Sequence, residues 1–583
     1  MMGIFALLLT PLIIEFLSST MASPLDHTYN VGDDVPLYVN RVGPLNNPSE
    51  TYQYYEMPFC IPDKVLEKKQ SLGEVLNGDR LSSSLYELKF KLDKPETVLC
   101  QKKLSQSEIA RFKHAIEREY YFQMYYDDLP VWGFIGKVER DSAGMGPSYY
   151  LFKNIQFNIL HNNNQIIEIH AFCDPNISED ITNDVAMEIK FTYSVSWKET
   201  STPFKSRMNR YSEASLLPAL RKIHWFSFSN SLVIILLTGY ISFLIMKKVK
   251  NDSRRHSGGE EEEDKEVGWR NTHRDVFACP SKKTLFSAVL GTGSQLLILV
   301  VVLFALSFMG ILYPYSRGSL PTSLVLVFAL TSLVAGYISA SFYCQFVETG
   351  LVRCVLLAGM LFLGPVLFII FILNLVAAYI GATAALPFRT IVVVTLVHTL
   401  LGIPFLAVGG LLGYSFRSAF VAPYPKKSQK EVLSLPWYLR TPGQMFIGGL
   451  LAFSVIISEL HQLYASIWGY KIYTVPIILF ITFISLIMVT AISSVSLTYF
   501  QLKVEDSKWW WRSVLRGGSV AIFMFLYSIY FYAKSNMNGS FQAAFYFGYN
   551  ACLCFAFFLM LGTVSFYASL MFVRRMYPAV KSE

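Results

Sequence analysis

Charge is scarce in this sequence. Lys, Arg, Asp and Glu make up 16% of its 583 residues, against about 25% in soluble globular chains. The deficit is concentrated in the second half, where long apolar runs recur. A wholly soluble class is therefore excluded, and a polytopic membrane protein with a polar N-terminal portion is implied. Cysteine is scarce too: there are 8, with none at the spacing of a zinc framework. No Walker loop, nucleophile elbow, His-Glu-x-x-His motif or paired intramembrane Asp signature occurs. No enzyme, cofactor or metal is expected on those grounds. The net charge of +8 needs no nucleic acid, because the basic residues collect in connectors on one side of the membrane.

The apolar run Ile4–Ile14 is too short to span, and small residues follow it up to Ala22. Residues 1–22 thus read as a secretory signal peptide, although no Lys or Arg precedes the run and Glu15 interrupts it. Residues 23–228 contain no spanning run. "AMEIKFTYSVSW" places Met187, Ile189, Phe191, Tyr193, Val195 and Trp197 on one strand face. "NIQFNILHNNNQIIEIHAF" predicts two strands joined at Asn162–Asn164, and "SSLYELKFKL" aligns Tyr86, Leu88, Phe90 and Leu92. Ser105 and Glu108 have capping-box spacing ahead of Ile109, Phe112 and Ile116. A single lumenal domain, rich in antiparallel sheet, is expected.

Nine apolar segments follow: 229–246, 285–312, 321–342, 354–380, 390–415, 445–468, 472–499, 514–533 and 541–573. The organisation is thus a first transmembrane helix at 229–246, a cytosolic acidic linker at 247–284, an eight-helix bundle at 285–573 and a cytosolic tail at 574–583. If the N-terminal domain is lumenal, the cytosolic connectors and tail hold 23 Lys and Arg, Arg516 among them. The lumenal loops hold only Arg317, Arg389, Lys471 and Lys534. That asymmetry favours this orientation. Sequons at Asn176 and Asn538 fall on the lumenal side as glycosylation candidates. Three cysteines, Cys60, Cys100 and Cys173, also fall there. Three pairings are open to them, and Cys60 with Cys100 is the one expected.

The sixth segment carries "SELHQLYASIW", with Glu459, His461 and Gln462. At about 100° per residue, Glu459 and His461 lie about 160° apart. They cannot chelate a metal together or form a catalytic dyad from one face. Glu459 needs a partner on another helix, with Gln295, Asn374 and His398 as candidates, or a proton. Gly409 and Gly413 have the spacing that lets helices approach closely, and Gly364-Pro365 and Pro404 are positioned to break or kink their helices. Broken helices beside polar groups suit a transporter and a client-binding groove alike. Asp127-Asp128 reads as a turn, and Trp509–Trp511 as an interfacial anchor.

Several stretches resemble the transmembrane 9 superfamily, or nonaspanins. They include "YNVGDDVPLYVNRVGPLNNPSETYQYYEMPFC", "YYDDLPVWGFIG", "KIHWFSFSNS", "GWRNTHRDVFACP", "LFSAVLGTGSQL" and "YFQLKVEDSKWWWRSVLRGGS". The resemblance runs through nearly the whole chain. It implies residence in Golgi and endosomal membranes and a role in sorting or surface delivery of other membrane proteins. The family's tails carry Lys-X-Asp or Lys-X-Glu, which recruits the coatomer coat; here Lys581 and Glu583 match it. Client proteins with glycine-rich transmembrane segments are the other expected partners. The alternative is a transporter or channel with Glu459, His461 and Gln295 lining its path. A surface adhesion receptor would conflict with the tail motif.

Overall fold

The computed structural model describes residues 27–140, 146–207, 221–257, 276–277, 279–312, 318–347, 349–416, 436–468, 476–504 and 506–576. The expected signal peptide, the acid run of the linker, and Lys581 and Glu583 lie outside the described residues.

Three sheets build the N-terminal domain. The first has the order β2-β1-β5-β6, with β3 also paired to β1. Its strands are β1 (Asp34–Pro44), β2 (Tyr52–Gln53), β3 (Ser82–Lys89), β5 (Tyr120–Tyr126) and β6 (Leu129–Phe134). The second has the order β10-β9-β12-β4, formed by β4 (Lys94–Leu104), β9 (Asn154–Asn162), β10 (Gln165–Phe172) and β12 (Met187–Glu199). The third joins β11 (Ser178–Asp180), β8 (Pro147–Phe152) and β7 (Gly136–Arg140). Alternation places Ile189, Phe191, Tyr193 and Val195 of β12 in the core. Tyr86 of β3 meets Phe157 and Tyr193 of the second sheet, both at ring distances of 5.4 Å, so the two sheets pack face to face. Two details differ from the sequence reading. Pairing is not all antiparallel, since β12 runs parallel to β9. Leu92, expected beside Leu88 and Phe90, lies beyond the end of β3 and is exposed. The capping box is formed: Ser105 Oγ accepts from the Glu108 N–H, and the Glu108 carboxylate accepts from the Ser105 N–H. Ile109, Phe112 and Ile116 of helix Gln106–Glu117 are buried behind it.

Among the described residues, nine helices are long and apolar enough to cross a membrane. They are Ser229–Lys248, Lys283–Phe308, Ser319–Tyr343, Leu351–Ile380, Phe388–Ser415, Thr441–Trp468, Ile477–Lys503, Trp509–Lys534 and Ser540–Met576. The main core draws on spans 1, 2, 3, 6, 7, 8 and 9, through residues such as Ile245, Phe286, Phe342, Tyr464, Leu486, Val520 and Phe566. Spans 4 and 5 stand at the flank, with only 11% of their most apolar windows buried. Pro365 lies inside the fourth span. In the fifth, a π turn at His398–Gly402 precedes Pro404, whose ring and missing N–H disrupt regular α hydrogen bonding there.

The sheet domain is fastened to one face of the bundle. Asn538 N donates to Asn47 Oδ1 at 2.9 Å, and Ser49 N donates to Gln542 Oε1 at 2.9 Å. Arg80 Nη2 donates to the Ala385 carbonyl at 2.7 Å. Gly73 packs so tightly on Gly318 that an added Cβ would sit 1.7 Å from its carbonyl oxygen. The start of the ninth span therefore lies against the sheet domain. Its 37 residues carry the chain about 55 Å away to Met576, on the opposite face.

Candidate functional site

The polar residues of the sixth span part company. Glu459 and Gln462 are buried, whereas His461 is on the exposed side, where Ile457 and Ile467 also lie. His461 Nδ1 is 2.9 Å from the Tyr527 hydroxyl, and its ring meets Phe531. Separation by about 160° around the helix is the cause. The first span packs on this helix, with Asn230 Nδ2 donating to the Ser454 carbonyl at 2.9 Å. The candidate partners named from sequence are engaged within spans 2 to 5. Gln295 Nε2 donates to the Phe328 carbonyl at 3.0 Å, Asn374 Oδ1 accepts from Leu386 N at 2.6 Å, and the His398 ring lies 6.2 Å from that of Phe328. Among the described residues, no group of three His, Cys, Asp or Glu side chains is arranged to hold a metal.

A second polar cluster lies at the end of the bundle away from the sheet domain. Arg516, one of the 23 cations assigned to the cytosolic side although it falls inside the expected segment 514–533, is buried at 1% exposure. Its Nη2 donates to Thr498 Oγ1 at 3.0 Å and its Nε to the Arg512 carbonyl at 3.1 Å. Around it run hydroxyl bonds between the seventh and ninth spans: Ser494 with Ser569 at 2.7 Å, Ser565 with Ser494 at 2.6 Å, and Thr498 with Ser569 at 2.9 Å. The clue in the sequence is helical phase. Residues 509, 513, 516 and 520 share one face, and Trp509, Ser513 and Val520 are all buried.

The Trp triplet is likewise not a simple interfacial belt. Trp509 and Trp510 are buried, and both indole N–H groups donate to the Val276 carbonyl, at 2.9 and 3.2 Å. Trp511 donates to the Ser281 carbonyl at 2.7 Å. The triplet thus clamps the end of the linker to the bundle. The glycines of the fifth span are also engaged inside the chain. A Cβ on Gly409 would meet the Leu333 carbonyl oxygen at 2.0 Å, and one on Gly413 the Tyr337 oxygen at 2.4 Å.

In the sheet domain, Cys60 and Cys100 are disulfide-bonded with Cα atoms 6.1 Å apart, and Cys173 is a free thiol. Burial pushes the Cys173 thiol up to about 12. Asn176 and Asn538 are exposed. Asp127 and Asp128 adopt φ of 49° and 61° in the two-residue turn between β5 and β6. The Asp127 carboxylate is buried and accepts from Tyr29 Oη at 2.6 Å and Arg207 Nη1 at 2.8 Å, with His27 Nδ1 at 2.7 Å. This node ties the start of the described chain to the segment that leads toward the first span.

Comparison with known proteins agrees with this architecture. The family model described as Endomembrane protein 70 matches residues 51–540. The chain is 54% identical over 561 residues to transmembrane 9 superfamily member 5 of Arabidopsis thaliana, covering 95% of each. It is 49% identical over 586 residues to member 4 of the same organism, covering 99% of each. Against member 1 of Mus musculus the identity is 38% over 573 residues, covering 95% of this chain and 94% of the relative. No solved structure matches. With its β-rich N-terminal domain and nine candidate membrane helices, the chain belongs to the transmembrane 9 superfamily, the nonaspanins.

Proposed function

We propose that this protein is a sorting factor of Golgi and endosomal membranes, with its sheet domain lumenal. Its bundle holds transmembrane segments of client membrane proteins, and its cytosolic tail, through Lys581 and Glu583, engages the coatomer coat. The observation that carries this reading is the placement of the two ends. The sheet domain sits on the face holding Asn538 and Gln542, and the ninth span delivers Met576 to the other. The span ends that bear Lys248, Lys283, Arg353, Arg440, Lys503 and Lys508 belong to the latter face, which the positive-inside rule makes the cytosolic one. A coat subunit there would pair acidic groups with the Lys581 ammonium and basic groups with Glu583. The flanking fourth and fifth spans supply the client surface, since Phe368, Phe371, Leu375, Leu400 and Leu411 are exposed on them. With Gly409 and Gly413 already packed on the third span, small residues at the contact must come from the client. Imaging of the Lys581→Ala variant tests the tail: redistribution out of the Golgi is expected, and unchanged residence would refute it. Co-purification of glycine-rich membrane clients tests the bundle; clients held through the sheet domain alone would refute that half.

The polar seam supports a second reading, a transporter or channel. Buried Glu459 and Gln462 are its candidate lining. Reconstituted flux abolished by Glu459→Gln would favour this class over the first.

A further inference from the structure

A buried cation is normally matched by a carboxylate, because an uncompensated charge inside a bundle is costly. Among the described residues Arg516 has no ion pair with a carboxylate. The nearby Asp506 carboxylate is bonded to Arg512. Among the described residues this corner therefore holds two guanidinium groups and one carboxylate, an excess of one positive charge. Arg516 Nη1 is buried and has no hydrogen-bond partner among the described residues.

Two further side chains converge on the same corner. Gln444 and Gln501 are 0% and 2% exposed, and all four of their amide atoms are without a partner among the described residues. Gln501 lies three residues beyond Thr498, the acceptor of Arg516 Nη2, and so on the same helical face. Gln444 lies one turn before Gly448. A Cβ on Gly448 would stand 3.6 Å from the Arg516 carbonyl oxygen and 3.8 Å from its Cβ. Ser519 Oγ, donating to the Met445 carbonyl at 2.8 Å, fixes the sixth and eighth spans at this level. The closest atom to that Gly448 Cβ is Leu497 Cδ1 at 3.4 Å, whereas a Cβ on nearby Gly517 would meet the Leu561 oxygen at 2.3 Å. Buried polar groups are nearly always satisfied, so the three orphaned donors, Arg516 Nη1, Gln444 Nε2 and Gln501 Nε2, mark a site for a ligand that accepts hydrogen bonds.

We propose that the corner between the sixth, seventh and eighth spans binds a small inorganic anion of the chloride class, held by Arg516 Nη1 and by the amide N–H groups of Gln444 and Gln501. The anion neutralises the excess charge and accepts the unused donors. Water bridging to the amide oxygens completes their hydrogen bonding. The site is independent of the sorting role.

The test is thermal unfolding of the full-length protein in detergent, in sodium chloride against sodium gluconate at equal ionic strength. A saturable upward shift of the midpoint with chloride is expected. The paired substitution Gln444→Leu and Gln501→Leu removes the amide donors while leaving the helices apolar, so cooperative unfolding with no chloride response is expected. An equal midpoint in the two salts, or the same chloride shift in the variant, overturns the proposal. If the variant does not fold, crystals of the unaltered protein grown in bromide decide. An anomalous peak against Arg516 Nη1 is the supporting result, and a map without one overturns the site.

Discussion

The Thr51 and Thr383 hydroxyls lie 2.6 Å apart, joining positions separated by 332 residues. Thr383 N also donates to the Thr51 carbonyl at 2.8 Å. The sheet domain is therefore docked on the loop after the fourth span by backbone as well as side chain. A movement of the flanking spans would be felt in the sheet domain directly.

Gly73 offers the sharpest probe of that docking. Gly73→Ala places a methyl group 1.7 Å from the Gly318 carbonyl oxygen. The clash is with backbone, so the interface must open at a cost of about 1–3 kcal/mol. Hydrogen exchange should rise at residues 318–322 and at Thr383, while β9, β10 and β12 stay protected. Unchanged exchange at Thr383 would contradict the docking described.

Asp127→Asn keeps the shape of the turn and removes the charge opposing Arg207, which is 7% exposed. Breaking a buried pair on one side costs about 3–5 kcal/mol. The sheet domain should unfold at lower urea in Asp127→Asn than in Asp128→Asn, whose carboxylate is about half exposed and only 3.8 Å from Lys68.

Cys173 should resist alkylation. Its thiol is pushed up to about 12 by burial, so almost no thiolate exists near neutrality. Maleimide labelling of the native protein should leave Cys173 unmodified, and labelling in denaturant should capture it. Fast labelling of the folded protein would refute the raised thiol.

The capping box gives a pH dependence. Hydrogen bonds from the Ser105 backbone N–H and hydroxyl, with Lys102 nearby, hold the Glu108 carboxyl below its ordinary range. A depressed carboxyl contributes stability above its unfolded value and loses it as pH falls through the folded one. Amide protection of helix Gln106–Glu117 should therefore weaken on acidification below the ordinary glutamate range. Ser105→Ala should cost about 1 kcal/mol at neutral pH and flatten that dependence.

Gly409→Leu tests whether the fifth span is closed against the third. A side chain there would meet the Leu333 carbonyl. Gel filtration in detergent should show loss of the monodisperse peak, whereas Gly364→Leu, with only the end of Met360 within 4 Å, should behave as the unaltered protein. Equal behaviour of the two would refute the close contact.

Much of this fold is legible along the chain because the relevant signals are local. The length of an apolar run marks a membrane helix, and alternation marks β12 and the β9–β10 hairpin. Ser105 and Glu108 announce a helix start three residues apart. Glu459 and His461 separate by pitch alone. Arg516 misleads because Arg512 and Lys508 nearby group it with the connector cations, while its burial depends on the seventh and ninth spans packed against it. Trp509 and Trp510 mislead in the same way. Their partner, the Val276 carbonyl, is more than two hundred residues distant and has no sequence signature.

What the sequence by itself determined is the class of molecule: a sheet-rich module, then apolar helices of spanning length, with cations gathered in alternate connectors. Those properties follow from hydrophobic length, alternation and charge, which are read one segment at a time. The tertiary structure alone decided which distant groups meet: Thr51 with Thr383, three donors on Asp127, Gly409 against Leu333, and Arg516 beside two unsatisfied glutamines. Such pairs depend on how helices and sheets pack in three dimensions, and packing between remote positions leaves no spacing to read.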